Sequence, residues 1–215
     1  MKPLQIAPSI LSAEINSLQK EVEQIEEHVE MIHVDVMDGK FVPPTTFKPE
    51  QIKEITSKIF KDVHLMVEHP LKDRFIDDYI DAGANSITIH VEASDDVGAC
   101  INHIKRKGVK VGLSLNPPTK IGKLAPYLKN VDMVLVMSVN PGYAGQDFIP
   151  EVLKKVRDLR AAEPNLDIQI DGGIKKETIH EAVKAGANIV VAGSAVFGQE
   201  DRVKAIKELR DAAKQ

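Results

Sequence analysis

The chain holds a single cysteine, Cys100, so an intrachain disulfide framework is excluded and a reducing compartment is expected. Cys100 falls in a helix-like stretch, where a small, buried apolar role is expected of it. No apolar run approaches bilayer-spanning length. The opening "MKPLQIAPSILS" is too short and too soon interrupted for a secretory signal. A cytoplasmic protein without a membrane partner is therefore expected. Nor is there an excess of positive charge. The 28 Lys and Arg are outnumbered by 32 Asp and Glu, and a net charge of −4 gives no reason to expect nucleic acid as a partner. No linker, low-complexity tract or charge block divides the 215 residues, so one large domain over 1–215 is expected. With 43% hydrophobic and 28% charged residues, such a chain can build a substantial core.

What is present is an alternation. Short runs rich in β-branched residues lie at 4–9, 31–37, 63–67, 86–91, 110–115, 133–138, 167–171 and 188–192. Helix-like stretches fall at about 13–28, 49–58, 71–82, 96–107, 120–128, 150–161, 176–185 and 201–213. Pro150 opens a segment in which Val152, Leu153, Val156 and Leu159 recur at helical spacing. "DAGA", "KRKGV" and "KAGA" each place a glycine where a helix should stop, just before the next strand. Strict alternation of strands and helices predicts a parallel sheet. Eight units in this length predict a closed (β/α)8 TIM barrel. An open doubly wound sheet would usually carry fewer strands and a glycine-rich dinucleotide turn after the first. "APSILS" has no such turn.

In a barrel of this kind the active site lies at the C-terminal ends of the strands, and phosphate binds after the seventh and eighth. The second run, "HVDVMDG", places His33, Asp35 and Met37 on one face and Val34 and Val36 on the other. The third, "DVHLMV", repeats the pattern with His64 and Met66, and the seventh ends on Asp171. A single barrel histidine is ordinarily a hydrogen-bonded core residue. Two histidines and two carboxylates converging from three strands read as a ligand set, with nitrogen and oxygen donors suited to Zn²⁺, Fe²⁺ or Mn²⁺ rather than Ca²⁺. Met37, Met66 and Met137 are expected to wall the site with apolar, polarisable surface. "NPGYAGQ" (140–146) reads as a flexible loop. Gly172, Gly173, Gly193 and Ser194 occupy the phosphate-site positions, where backbone N–H groups are open to an anion. His28, His69, His103 and His180 are expected to be solvated, and His90, one strand from the site, is open to either reading.

Six ordered blocks, "APSILSA", "HVDVMDG" followed by "FVP", "DVHLMVE", "MSVNPGYAGQ", "IDGG" and "VAGSAVFG", run from Ala7 to Gly198. Together they resemble the ribulose-phosphate 3-epimerase family. The resemblance implies a phosphate-binding barrel that interconverts D-ribulose 5-phosphate and D-xylulose 5-phosphate in the pentose phosphate pathway. It also implies a divalent metal ion (Zn, Fe, Mn or Co) and assembly as a homo-oligomer. His33, Asp35, His64 and Asp171 would be the metal ligands, with Asp35 the proton acceptor and Asp171 the proton donor. Ser9, His64 and the three methionines would touch the substrate. Gly142, Tyr143, Ala144, Gly145 and Gln146, with Gly172, Gly173, Gly193 and Ser194, would hold the sugar phosphate. The chemistry agrees. Inverting a carbon beside a ketone removes a proton from one face and returns one to the other, which needs two groups on different strands. The negative charge of the enediolate between those steps is what a Lewis acid stabilises.

The blocks depart from the family in one place. Lys40 stands where His is usual, Pro44 where Asn is usual, and Lys48 where Gly is usual. These positions follow the second strand and bear on substrate preference and assembly, while the ligand set is intact. An epimerase of a longer ketose phosphate, such as D-allulose 6-phosphate, would share the catalytic residues. A decarboxylase of the orotidine-phosphate type would place a Lys among its strand-end Asp residues, and "HVDVMD" has none. A non-catalytic sugar-phosphate sensor would tolerate loss of one carboxylate, and both are here.

Overall fold

Alternation with period two gives each strand one aliphatic face and one mixed face. The computed structural model, which describes residues 2–143 and 145–214, turns the aliphatic faces outward. The strands are β1 (Gln5–Pro8), β2 (Met31–Met37), β3 (Phe60–Met66), β4 (Ser86–His90), β5 (Lys110–Leu115), β6 (Met133–Met137), β7 (Asp167–Asp171) and β8 (Ile189–Ala192). All pair in parallel, in the order β1-β8-β7-β6-β5-β4-β3-β2. Among the described residues the barrel closes between β1 and β2 through one bridge, Ser9 with His33.

Around the sheet lie α1 (Leu18–Glu23), α2 (Pro49–Lys53), α3 (Phe75–Asp81), α4 (Val97–Arg106), α5 (Leu153–Ala162), α6 (Lys176–Ala185), α7 (Ser194–Phe197) and α8 (Arg202–Ala212). Outward residues such as Val34, Val36, Val63, Leu65, Ile168 and Ile170 pack with helix residues such as Ile104, Val156 and Ile179 in one continuous core. Cys100 is buried within it. None of the described helices is long and apolar enough to cross a membrane.

The eight expected strands are present, but several helices differ: the stretches 49–58 and 71–82 are helical only over Pro49–Lys53 and Phe75–Asp81. The stretch 120–128 forms 3₁₀ turns at Ile121–Leu124 and Leu128–Asn130 instead of an α-helix. Pro126 has no N–H to extend a helical ladder and Gly122 weakens one, so that segment stays in short turns. Within 13–28 only Leu18–Glu23 is α-helical, preceded by a 3₁₀ turn at Ile15–Ser17. The short α7, which follows β8 directly, is an addition to the expected set.

The barrel interior is unusually polar. His33, Asp35, Asp62, His64, Ser86, Thr88, His90, Ser114 and Gln169 are all buried, and a carboxylate among them must be paired to be tolerated. Gly112 makes room for one of them: a Cβ there would lie 2.0 Å from the Thr88 hydroxyl.

Candidate active site

The inward positions near the C-terminal ends of β2, β3 and β7 carry His33, Asp35, His64 and Asp171. One donor atom from each lies within 4.8 Å of the others. His33 Nε2 stands 3.3 Å from Asp35 Oδ1 and 3.8 Å from Asp171 Oδ2. His64 Nδ1 stands 3.3 Å and 3.9 Å from the same two oxygens. Both histidines are fully buried, and Asp35 nearly so. His33 Nε2 is a buried nitrogen without a hydrogen-bond partner among the described residues. A buried, unpartnered donor atom facing two carboxylates is what a cation site requires, and the mixed N/O set is compatible with a divalent metal.

Supporting bonds orient these groups. Ser9 Oγ donates to Asp35 Oδ2 at 2.5 Å. Thr46 donates to the Asp35 carbonyl at 2.6 Å and accepts from the Met37 N–H at 3.0 Å. On the far side of His33, Nδ1 meets Asp62 Oδ2 at 2.9 Å. Asp62 in turn accepts from Ser86 at 2.6 Å and Gln169 at 2.7 Å. This is the carboxylate–histidine arrangement that fixes a ligand's tautomer and ring plane. Sequence reasoning missed Asp62. Its signal was its place two residues before His64, on the same inward face.

The surroundings shift the two site carboxylates in opposite directions. Burial pushes Asp35 up, but the His33 charge and the imidazole nitrogens of both histidines beside it outweigh it and hold it far below the usual carboxylate range. Asp171 is pushed up to about 7 by burial and by the neighbouring Asp35 charge, with His33 opposing. Burial lowers His33, yet Asp35 and Asp62 raise it well above an ordinary imidazole. His64 is brought down to about 4, chiefly by burial. Two adjacent carboxylates shifted in opposite directions by their surroundings are suited to act as an acid/base pair.

Above them opens a cavity of about 530 Å³. Ser9, Asp35, Asp171 and the methionines Met37, Met66 and Met137 form its floor and walls. The loop after β6 contributes Gly142, Tyr143, Gly145 and Gln146, with Tyr143 64% exposed at the rim. Ala144 lies outside the described residues. The turns after β7 and β8 contribute Gly172, Gly173, Gly193 and Ser194. His33 and His64 stand behind this wall, so His64 is not among the cavity-lining residues. Lys175, which sequence reasoning passed over, is the one cationic side chain lining the cavity among the described residues.

Other expectations are revised. His69 pairs with Asp95 at 3.0 Å and His103 with Asp77 at 3.0 Å, so neither is simply solvated. Lys40 reaches Asp73 at 3.3 Å on the surface and does not line the cavity. The atypical Pro44 lies beside Gly142: a Cβ on that glycine would stand 3.8 Å from Pro44 Cδ.

Comparison with known proteins finds relatives over nearly the whole chain. The model of the "Ribulose-phosphate 3 epimerase family" matches residues 5–197. Ribulose-phosphate 3-epimerase of Bacillus subtilis (strain 168) is 43% identical over 216 residues, covering 96% of this chain and 98% of that protein. The Escherichia coli (strain K12) enzyme of the same name is 43% identical, covering 98% and 96%. The Schizosaccharomyces pombe enzyme is 40% identical, covering 98% and 94%. Among solved structures, KGPDC from Streptococcus mutans superposes with a TM-score of 0.74 at 12% identity, covering 99% of this chain and 98% of that one. A 3-hexulose-6-phosphate synthase superposes at 0.71 with 21% identity, covering 98% and 99%. At those identities the structural likeness is one of fold.

Proposed function

The chain belongs to the ribulose-phosphate 3-epimerase family, and on that premise we propose that it interconverts D-ribulose 5-phosphate and D-xylulose 5-phosphate with Asp35 and Asp171 as its proton-transfer pair. The observation that carries this reading is geometric: Asp35 on β2 and Asp171 at the tip of β7 bring two carboxylates from different strands to one cavity. Ionised Asp35, steadied by the Ser9 hydroxyl, removes the proton from C3 on one face of the sugar. The electron pair delocalises toward the C2 carbonyl as an enediolate. Asp171 then delivers its proton to the other face of C3, inverting the centre, and the reverse reaction uses the pair in the opposite order. His33, Asp35, His64 and Asp171 would hold a divalent ion, which would supply Lewis-acid stabilisation of the enediolate's negative charge.

The phosphate end follows from the backbone. Gly172 and Gly173 adopt φ of +120° and +64°, which opens the turn after β7, and Gly193 and Ser194 lead into α7. Backbone N–H groups there receive the phosphate, and Lys175 adds positive charge at the same edge. Binding energy gained far from C3 orients the reacting carbon. The loop carrying Tyr143 closes over the substrate and excludes water. We read the molecule as a single-domain cytoplasmic enzyme that self-associates.

The test is a coupled assay of D-ribulose 5-phosphate epimerisation, before and after chelation and with Zn²⁺, Fe²⁺, Mn²⁺ or Co²⁺ restored. Activity should fall on chelation and return with at least one ion. Asp35→Asn and Asp171→Asn should each lose roughly 10²–10⁴-fold in kcat. Light scattering on the same preparation checks self-association. Near-full turnover by either variant would overturn the two-carboxylate scheme. Activity on D-allulose 6-phosphate alone would replace the pentose substrate with a longer one.

A further inference from the structure

Behind His64, away from the cavity, lies a chain of buried and half-buried groups that the proton-transfer scheme does not use. His64 Nε2 and His90 Nε2 are 2.8 Å apart. His90 Nδ1 lies 3.1 Å from Glu92 Oε2. Glu92 Oε1 accepts from the Asn116 N–H at 2.9 Å. Phe41 packs on the His90 ring at 4.8 Å, and the His64 and His90 rings stack at 4.9 Å. Both histidines are fully buried, so neither nitrogen can turn to bulk water for a partner.

With one hydrogen on each imidazole, the short Nε2–Nε2 contact and the Glu92 carboxylate together select one arrangement. An ionised carboxylate only accepts, so His90 Nδ1 must carry a hydrogen. Glu92 is ionised because hydrogen bonds from His90, Thr119 and the Asn116 amide outweigh the burial that would push it up. Its one hydrogen being on Nδ1, His90 has a bare Nε2, which needs a donor. His64 Nε2 is 2.8 Å away and must supply the hydrogen. His64 Nδ1 is thereby left bare, pointing at Asp35 and Asp171.

We infer that Glu92 and His90 are positioning residues that fix His64 as its Nε2–H tautomer, so that its Nδ1 lone pair is presented to the metal. This rests on the reading of His64 as a ligand. It gives His64 the support that Asp62 gives His33, but through two residues instead of one. The mirror arrangement, with His90 donating and His64 Nδ1–H directed at Asp35, would close the ligand position.

Long-range proton–nitrogen spectra of the histidine-labelled, metal-free chain read the tautomer directly. The wild type should show His64 protonated at Nε2 and bare at Nδ1, with Zn²⁺ then shifting the Nδ1 resonance. Glu92→Gln offers His90 an amide that can donate as well as accept. It should mix the His64 tautomers and weaken Zn²⁺ binding by about 10–100-fold in a chelator competition. His90→Gln, which can accept from His64 and donate to Glu92, should keep most of the affinity that His90→Phe loses. Protonation of His64 at Nδ1 in the wild type would overturn the inference. So would a Glu92→Gln protein with unchanged tautomer and unchanged Zn²⁺ affinity. If Zn²⁺ shifts neither His33 nor His64, the metal reading fails, while the metal-free spectrum still decides the relay.

Discussion

At the scale of the residue, the glycines after β7 show how much local conformation this site demands. Gly173 has φ of +64°, and a Cβ on it would come within 2.6 Å of the Phe148 nitrogen and 2.8 Å of its Cα. Those are backbone atoms and cannot swing aside. Gly108 has a similar φ of +75°, but a Cβ there meets nothing within 4 Å. Gly108→Ala should therefore cost only the left-handed strain, about 1–2 kcal/mol. Gly173→Ala should cost that plus a clash, about 2–4 kcal/mol in all, and should raise KM for the phosphorylated substrate. Urea denaturation of both variants checks the difference, and equal losses would show that the Phe148 contact does not matter. Residues of this kind were legible in the sequence because "DGG" after a strand signals a turn. Asp62 and Glu92 were not. Asp62 is recognised as the partner of His33 only once β2 and β3 are registered, and Glu92, two residues after His90, only once its side chain is seen to turn back onto that ring.

At the scale of the element, α3 and α4 are joined by a charge cluster that the sequence did not suggest. Asp77 on α3 takes Lys107 Nζ at 2.7 Å and His103 Nε2 at 3.0 Å from α4 and its C-terminal edge. Hydrogen bonds from Lys107 and then His103 hold the Asp77 carboxyl at about 2. Its folded pKa is thus below its unfolded one. The stabilisation is present above the unfolded value near 3.9 and is lost as pH falls from about 4 toward 2. Asp77→Asn should cost about 0.5–1 kcal/mol at neutral pH, and the gap to the wild type should close near pH 2. Thermal melts across pH 2–7 check it, and a gap that stayed constant with pH would remove the ion-pair account. Element type followed from periodicity for every strand and for α4, α5, α6 and α8, whose apolar spacing is strong. It failed at 120–128, where Pro126 and Gly122 break a pattern whose hydrophobic residues alone read as helical.

At the scale of the whole molecule, the weak place in the barrel is its closure. Seven junctions are continuous ladders, while β1 and β2 meet only at Ser9 and His33 among the described residues. Below that bridge the fully buried Ile6 has no β2 carbonyl for its N–H and donates instead to Glu30 Oε2 at 2.9 Å. Arg210, on the last helix, clasps both Glu30 oxygens at 2.9 Å and also donates to the His28 carbonyl at 3.0 Å and the Leu4 carbonyl at 3.4 Å. The end of the chain thus straps its beginning to the second strand. The bridge at the top of this seam joins Ser9, which holds Asp35, to His33, so the strap also bears on the site. Glu30→Ala strands a buried amide and should cost about 1–3 kcal/mol, while Glu30→Gln, which still accepts, should cost less. Hydrogen exchange separates this from general loosening. The Ile6 amide and the β1 and β2 amides should exchange faster in Glu30→Ala while β4 and β5 stay protected. Uniform acceleration around all eight strands would mean that the seam is no weaker than the rest, and that closure is carried by packing of the helices alone.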